Sequence, residues 1–234
     1  MNKKIIIALA VLVLVAMACS TTTTTPTTVP VTNPTSVPNA NPTSGSTSGN
    51  ILYQDNFRDP NSGWDQTTGA DGTTDYQNGG YRINVITPNV SLWANPSKNF
   101  QSDVSIEVDA TKTAGPDDNA FGVICRYQDT KNFYKFYITS DGYAGISKEE
   151  NGNSTVISSP DGKIQPVDGI NQGVATNHIR ADCVGSILTL YAYGTQIATA
   201  TDTSFTGGDV GLIARTYDTG GTDILFTNFV VSKP

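Results

Sequence analysis

The chain has 234 residues, 37% of them apolar, and sets 14 Lys and Arg against 21 Asp and Glu, a formal net charge of −7. That acid excess makes it a poor partner for nucleic acid or for an anionic membrane surface. Its one histidine, His178, excludes a zinc site built from several His ligands within one chain.

Met1–Lys4 is short and basic, and Ile5–Ala18 is an unbroken apolar run of 14 residues. A membrane-spanning helix needs roughly 20, so the run is the apolar centre of an export signal. Ala16-Met17-Ala18-Cys19-Ser20 follows. This resembles the lipobox of bacterial lipoproteins, where small residues precede a Cys that is lipidated and becomes N-terminal. Ala16 stands where Leu is commonest. The resemblance implies a signal peptide over 1–18, lipidation at Cys19 and an extracytoplasmic protein anchored to a membrane, at the cell surface or on the periplasmic face. Removing the segment takes Lys3 and Lys4 with it and moves the charge from −7 to −9.

Residues 19–49 form a second segment. Ser20–Gly49 has no charged residue and is mostly Thr, Pro, Ser, Asn and Gly. Nothing in it buries enough apolar surface to offset chain entropy, so the expectation is a disordered linker. Proline recurs at positions 26, 30, 34, 38 and 42, which favours extended backbone. At ~3.1 Å per residue the segment reaches roughly 90 Å and holds a folded module away from the lipid.

Residues 50–234 read as that module, long enough for one domain with a large core. Apolar residues recur with period two between Gly, Asn, Asp and Ser punctuation, and no stretch has helical periodicity. Ile51–Phe57 opens the domain. Asp75–Asn78 and Tyr81–Ile86 flank a turn at Gly79-Gly80. Phe100–Ala110 sets Val104, Ile106 and Val108 against Asp103, Ser105, Glu107 and Asp109. Phe121–Lys148 divides into three strands with turns at Gln128–Asn132 and Ser140-Asp141-Gly142. Five more strands follow, at Asn177–Cys183, Ile187–Tyr193, Gln196–Ala200, Val210–Arg215 and Ile224–Val231. About a dozen short strands with a turn every ten residues or so predict an all-β, two-sheet antiparallel sandwich, with one face of each sheet in the core.

With Cys19 lipidated, Cys125 and Cys183 remain, both on apolar faces. An even pair in an exported protein points to a disulfide, between neighbouring or facing strands. Two buried free thiols are the alternative.

Several short motifs together resemble a known family. Asp55-Asn56-Phe57, Gly63-Trp64 and Tyr81-Arg82-Ile83 open the series. Phe121–Tyr127, Phe133-Tyr134, Asp141-Gly142-Tyr143, Asn177–Arg180, Cys183-Val184-Gly185 and Tyr193-Gly194 continue it in order, and Phe226–Phe229 closes it. They are similar to the concanavalin A-like lectin/glucanase domains of bacterial lipoproteins, a group that also holds laminin-G-like modules and 3-keto-disaccharide hydrolase-like enzymes. Thr227 stands where relatives often have Asp. The resemblance implies a jelly roll over nearly all of residues 50–234. It does not settle activity.

The resemblance leaves three functions open: non-catalytic carbohydrate binding, glycoside hydrolysis and protein-binding adhesion. A sugar-binding surface needs aromatic platforms with a few polar groups. If Cys125 faces the core, Arg126 faces out, and Tyr134 and Phe136 inward leave Lys135 and Tyr137 outside. Trp93, Tyr143, Tyr191 and Tyr193 extend the candidate surface. A glycosidase needs two carboxylates flanking the bond. Glu107-Val108-Asp109 supplies the first half of the fold's familiar Glu-x-Asp motif, about 7 Å apart along one strand face. Thr111 and Lys112 occupy the places where a further acid would follow. The candidate cofactor is Ca²⁺, for which the family implies loop oxygen ligands. Asp55 is its candidate ligand, with turn capping as the alternative role.

Overall fold

A computed structural model describes residues 50–234. The signal peptide at 1–18, lipidation at Cys19 and the linker over 19–49 lie outside the described residues.

Among the described residues there is no helix, and sixteen strands account for the regular structure. They are β1 (Ile51–Asp55), β2 (Thr67–Gly69), β3 (Gly72–Gln77), β4 (Gly80–Val85), β5 (Ser91–Ala94), β6 (Val104–Ala114), β7 (Asn119–Asp129) and β8 (Asn132–Ile138). The chain continues through β9 (Tyr143–Glu150), β10 (Asn153–Val156), β11 (Gln165–Pro166), β12 (Thr176–Val184), β13 (Ile187–Ala192), β14 (Thr195–Thr201), β15 (Asp209–Thr216) and β16 (Thr222–Ser232). They form two antiparallel sheets. One has nine strands in the order β14-β13-β12-β6-β16-β4-β3-β2, with β1 on β16. The other has seven in the order β10-β9-β8-β7-β15-β5, with β11 on β9.

The predicted alternation explains the layering. Val104, Ile106, Val108 and Ala110 of β6 are buried against Phe121, Val123 and Cys125 of β7 and Tyr134, Phe136 and Ile138 of β8 in one core. Burying large side chains such as these stabilises by about 1.5–3 kcal/mol each. The Cys125–Cys183 disulfide joins β7 to β12, so it links facing sheets rather than neighbouring strands.

The family-like opening motif is a clasp at the sandwich edge. Asp55 Oδ1 accepts the Phe57 amide at 2.7 Å. Its Oδ2 accepts Ser62 Oγ at 2.5 Å, Trp64 Nε1 at 3.0 Å and Tyr53 Oη at 3.2 Å. Trp64 then packs edge-on against Phe229 at 4.9 Å and against Phe57 at 5.2 Å.

Two local expectations change. The β3–β4 hairpin turns at Asn78-Gly79, not Gly79-Gly80, because both residues take positive φ, 56° and 74°, as a two-residue primed turn requires. Arg126 does not face out. A bulge follows Cys125 in the pairing of β7 with β8, and Arg126 itself has φ 54°. The extra residue breaks the alternation, leaving Arg126 only 3% exposed. Its guanidinium donates to the Phe205 carbonyl at 2.9 Å and pairs with Asp103 at 3.3 Å. It is a structural side chain rather than a ligand-binding one.

Candidate functional site

Alternation along the seven-stranded sheet sends one set of residues away from the core. The register aligns them in rows across strands. Trp93, Ile213, Gly122, Tyr137 and Gly145 form one row, and Ile124, Lys135, Ser147 and Val156 form the next. Ile213, Tyr137, Lys135, Ser147 and Val156 of these rows line a groove of ≈ 380 Å³ on the sheet's outer face. Strand β10 and Gly162 border it on one side, Ser91, Arg215 and Tyr217 on the other.

Two glycines shape the floor. A Cβ on Gly122 would stand 2.1 Å from the Phe136 carbonyl oxygen, and one on Gly145 would stand 3.2 Å from the Tyr137 hydroxyl. The missing Cβ at Gly145 leaves room for the end of the Tyr137 ring, and Tyr137 is 8% exposed with its hydroxyl 2.8 Å from Ser147 Oγ. Burial raises the Tyr137 phenol above its ordinary pKa, and burial followed by the nearby Tyr137 pushes Tyr217 up to about 12. Both phenols are neutral donors and acceptors at any physiological pH. Lys135 donates to Glu149 at 2.7 Å and to Ser154 at 2.8 Å. Arg215 donates to Ser91 Oγ at 3.2 Å, and its guanidinium lies 5.0 Å from the Tyr217 ring centre.

Beside the groove is an apolar shelf. Ile124, Phe133 and Ile213 form a small cluster on the outer face, with Trp93 and Tyr127 packed against it. Trp93 and Tyr127 lie 5.9 and 5.4 Å from the Phe133 ring. Ile213 belongs to both shelf and groove, so the two are continuous.

The residues predicted for binding therefore divide. Lys135 and Tyr137 line the groove, Trp93 is on the shelf, and Tyr143 stands on the same face, outside the groove lining. Tyr191 and Tyr193 belong to the nine-stranded sheet and its turn, so they cannot join that surface. Tyr191 lies 4.1 Å from the Arg180 guanidinium. Tyr193 (φ 49°) uses its hydroxyl on the Thr176 carbonyl at 2.6 Å and on the Asn171 amide at 2.7 Å. Arg215 and Tyr217 line the groove and were not singled out from the sequence. The available signal was the alternation of Ile213 and Arg215 against Leu212 and Ala214.

Glu107 and Asp109 are on the other sheet's outer face, where β12 sets His178 opposite Asp109 and Arg180 opposite Glu107. His178 Nδ1 is 2.7 Å from Asp109 and Nε2 is 3.5 Å from Glu107. Hydrogen bonds to Asp109 and then Glu107 push its pKa up to about 9, so the ring is an imidazolium at neutral pH. The hydrogen bond from His178 holds Glu107 below its ordinary range. Burial works to raise Asp109, but the bonds from His178 and Asn228 outweigh it and lower that carboxyl too. Glycoside hydrolysis needs one of two carboxyls protonated as the acid. This arrangement keeps both ionised and occupied by a shared cation.

Both Asp55 oxygens are taken by protein donors, which is the turn-capping role rather than an open ligand set. Among the described residues, no group of three or more His, Cys, Asp or Glu is arranged to hold a metal ion.

No family model matches the chain, and no curated protein matches it in sequence. Solved structures do. The carbohydrate binding module CBM66 from Bacillus subtilis is 22% identical with a TM-score of 0.57, covering 73% of this chain and 96% of its own. The β-glucanase of Bacillus licheniformis is 14% identical with a TM-score of 0.56, covering 80% and 99%. A Bacillus subtilis protein with a galectin-like fold is 10% identical with a TM-score of 0.56, covering 79% and 96%. The fold is the concanavalin A-like lectin/glucanase sandwich. At these identities the likeness speaks for fold and not for activity.

Proposed function

We propose that the chain is a non-catalytic glycan-binding module, displayed outside the cytoplasm from a lipidated Cys19 on an extended Thr/Pro linker. The observation that carries this reading is the groove on the outer face of the seven-stranded sheet. It combines aromatic surface (Tyr137, Tyr217 and the adjoining Trp93) with hydroxyls and two cationic groups, the mixture that stacks on sugar rings and orients their hydroxyls. The groove lining contains no carboxylate, which favours binding over hydrolysis. A carbohydrate binding module and a β-glucanase among the structural neighbours support a carbohydrate as the ligand class.

The reading is tested by pull-down of the purified chain on insoluble polysaccharides and by calorimetry with soluble β-glucan, xylan and polygalacturonate. Binding to at least one, weakened by Trp93→Ala and Tyr217→Ala, is expected. Protein ligands captured with no glycan bound would favour adhesion instead. Anchoring is tested by fractionation: Cys19→Ala is expected to release the protein from membranes, and retention would count against lipidation.

A further inference from the structure

We infer that the groove takes an acidic glycan, one whose rings carry carboxylates, and that Arg215 is the side chain that reads the carboxylate. This rests on the reading that the groove binds glycan and adds the chemical class.

The described residues hold five arginines. Three of them pair with aspartate: Arg82 with Asp223 at 2.6 Å, Arg126 with Asp103 at 3.3 Å and Arg180 with Asp182 at 3.0 Å. Arg58 is exposed. That leaves Arg215, half-buried in the groove wall and without an ion pair among the described residues, in a chain where acids outnumber bases. A carboxylate partner has been found for the other sheltered arginines but not for this one.

Its geometry suits a ligand. One N–H donates to Ser91 Oγ at 3.2 Å. The other four donors of the guanidinium have no protein partner among the described residues. The guanidinium lies over the Tyr217 ring, and its planar fork matches a planar carboxylate through two parallel hydrogen bonds. Lys135, the groove's other cation, is already occupied by Glu149 and Ser154, so it adds little free charge. Asp118 and Asp141 act on Tyr217 electrostatically, and they lie outside the groove lining.

Calorimetry on the full chain tests this with three probes: an oligogalacturonate, the same oligosaccharide methyl-esterified, and a neutral xylo-oligosaccharide. The free acid is expected to bind about tenfold or more tightly than its ester, a comparison on the unaltered protein that needs no variant. Arg215→Gln is expected to weaken the acid by about 30-fold and leave the ester nearly unchanged, while Arg215→Lys recovers part of the loss. Rising salt should weaken the acid in the unaltered protein and have little effect in Arg215→Gln. Ester or xylo-oligosaccharide bound as tightly as the acid, with Arg215→Gln silent, would overturn the acidic class and leave glycan binding standing. Preference for a sulfated glycan over the uronate would overturn the carboxylate assignment. No oligosaccharide bound at all would overturn both readings.

Discussion

The outer faces of the two sheets come from the same alternation and have opposite character. On the nine-stranded sheet, Glu107, Asp109, His178, Arg180 and Asp182 neutralise one another, and Asn228 donates to Asp109 at 2.7 Å. On the seven-stranded sheet, Tyr137 sits low between two glycines, Tyr217 and Trp93 keep aromatic surface accessible, and Arg215 has most of its donors unused. Polar residues on a strand's outer face thus do not mark a site. The difference is whether their hydrogen-bonding capacity is spent inside the protein or left for a partner.

The largest expected effect strikes what both faces share. Reducing Cys125–Cys183, which closes a loop of 58 residues, should lower the unfolding free energy by about 4 kcal/mol, read from denaturant titrations with and without reductant. Next is the closed network. The folded pKa of His178, about 9, lies above its unfolded value of 6.5. Its stabilising contribution is therefore complete below pH 6.5 and lost as pH rises through 9. Loss on the order of 2 kcal/mol, allowing for solvent screening, should appear in melts across that window and flatten in His178→Gln. On the open face, Tyr217→Ala should weaken glycan binding about tenfold, or ~1.4 kcal/mol. Tyr137→Phe, which gives up the bond to Ser147, should destabilise the fold by about 1 kcal/mol. The smallest expected effect is the sharpest separator. Glu107→Gln and Asp109→Asn should change glycan affinity by less than about twofold, because their sheet does not carry the groove. A large loss of affinity there would reverse the roles assigned to the two faces.

Strand positions and inward faces were legible because period two is a backbone property. Val104 to Ala110 and the β7–β9 meander follow it, and Lys135 and Tyr137 came out on the correct face. Alternation says which side of its own strand a residue occupies, but not which sheet the strand joins. Tyr191 and Tyr193 were for that reason grouped with Trp93 across a sandwich that separates them. Nor does it foresee a bulge, which is why Arg126 was placed outside. Asp55 illustrates a third limit. Its ligand-like setting in a loop depends on what Trp64, Ser62 and Tyr53 do in space, and they surround it with donors. Arg215 was missed because nothing local distinguishes an arginine with a partner from one without.

The bulge at Arg126 also decides where Tyr127 goes. Strict alternation would send Tyr127 to the core side with Cys125. The extra residue returns it to the outer face, where it packs against Phe133. Residue 126 therefore acts as a frame shifter within a single strand. Straightening the strand with residue 126 kept would exchange the destinations of the side chains from Tyr127 to the turn and draw an aromatic ring off the shelf, whereas deleting residue 126 together with the bulge would leave Tyr127 facing out. A chain lacking only Arg126 should therefore keep Tyr127 on the shelf and lose the ties to the Phe205 carbonyl and Asp103.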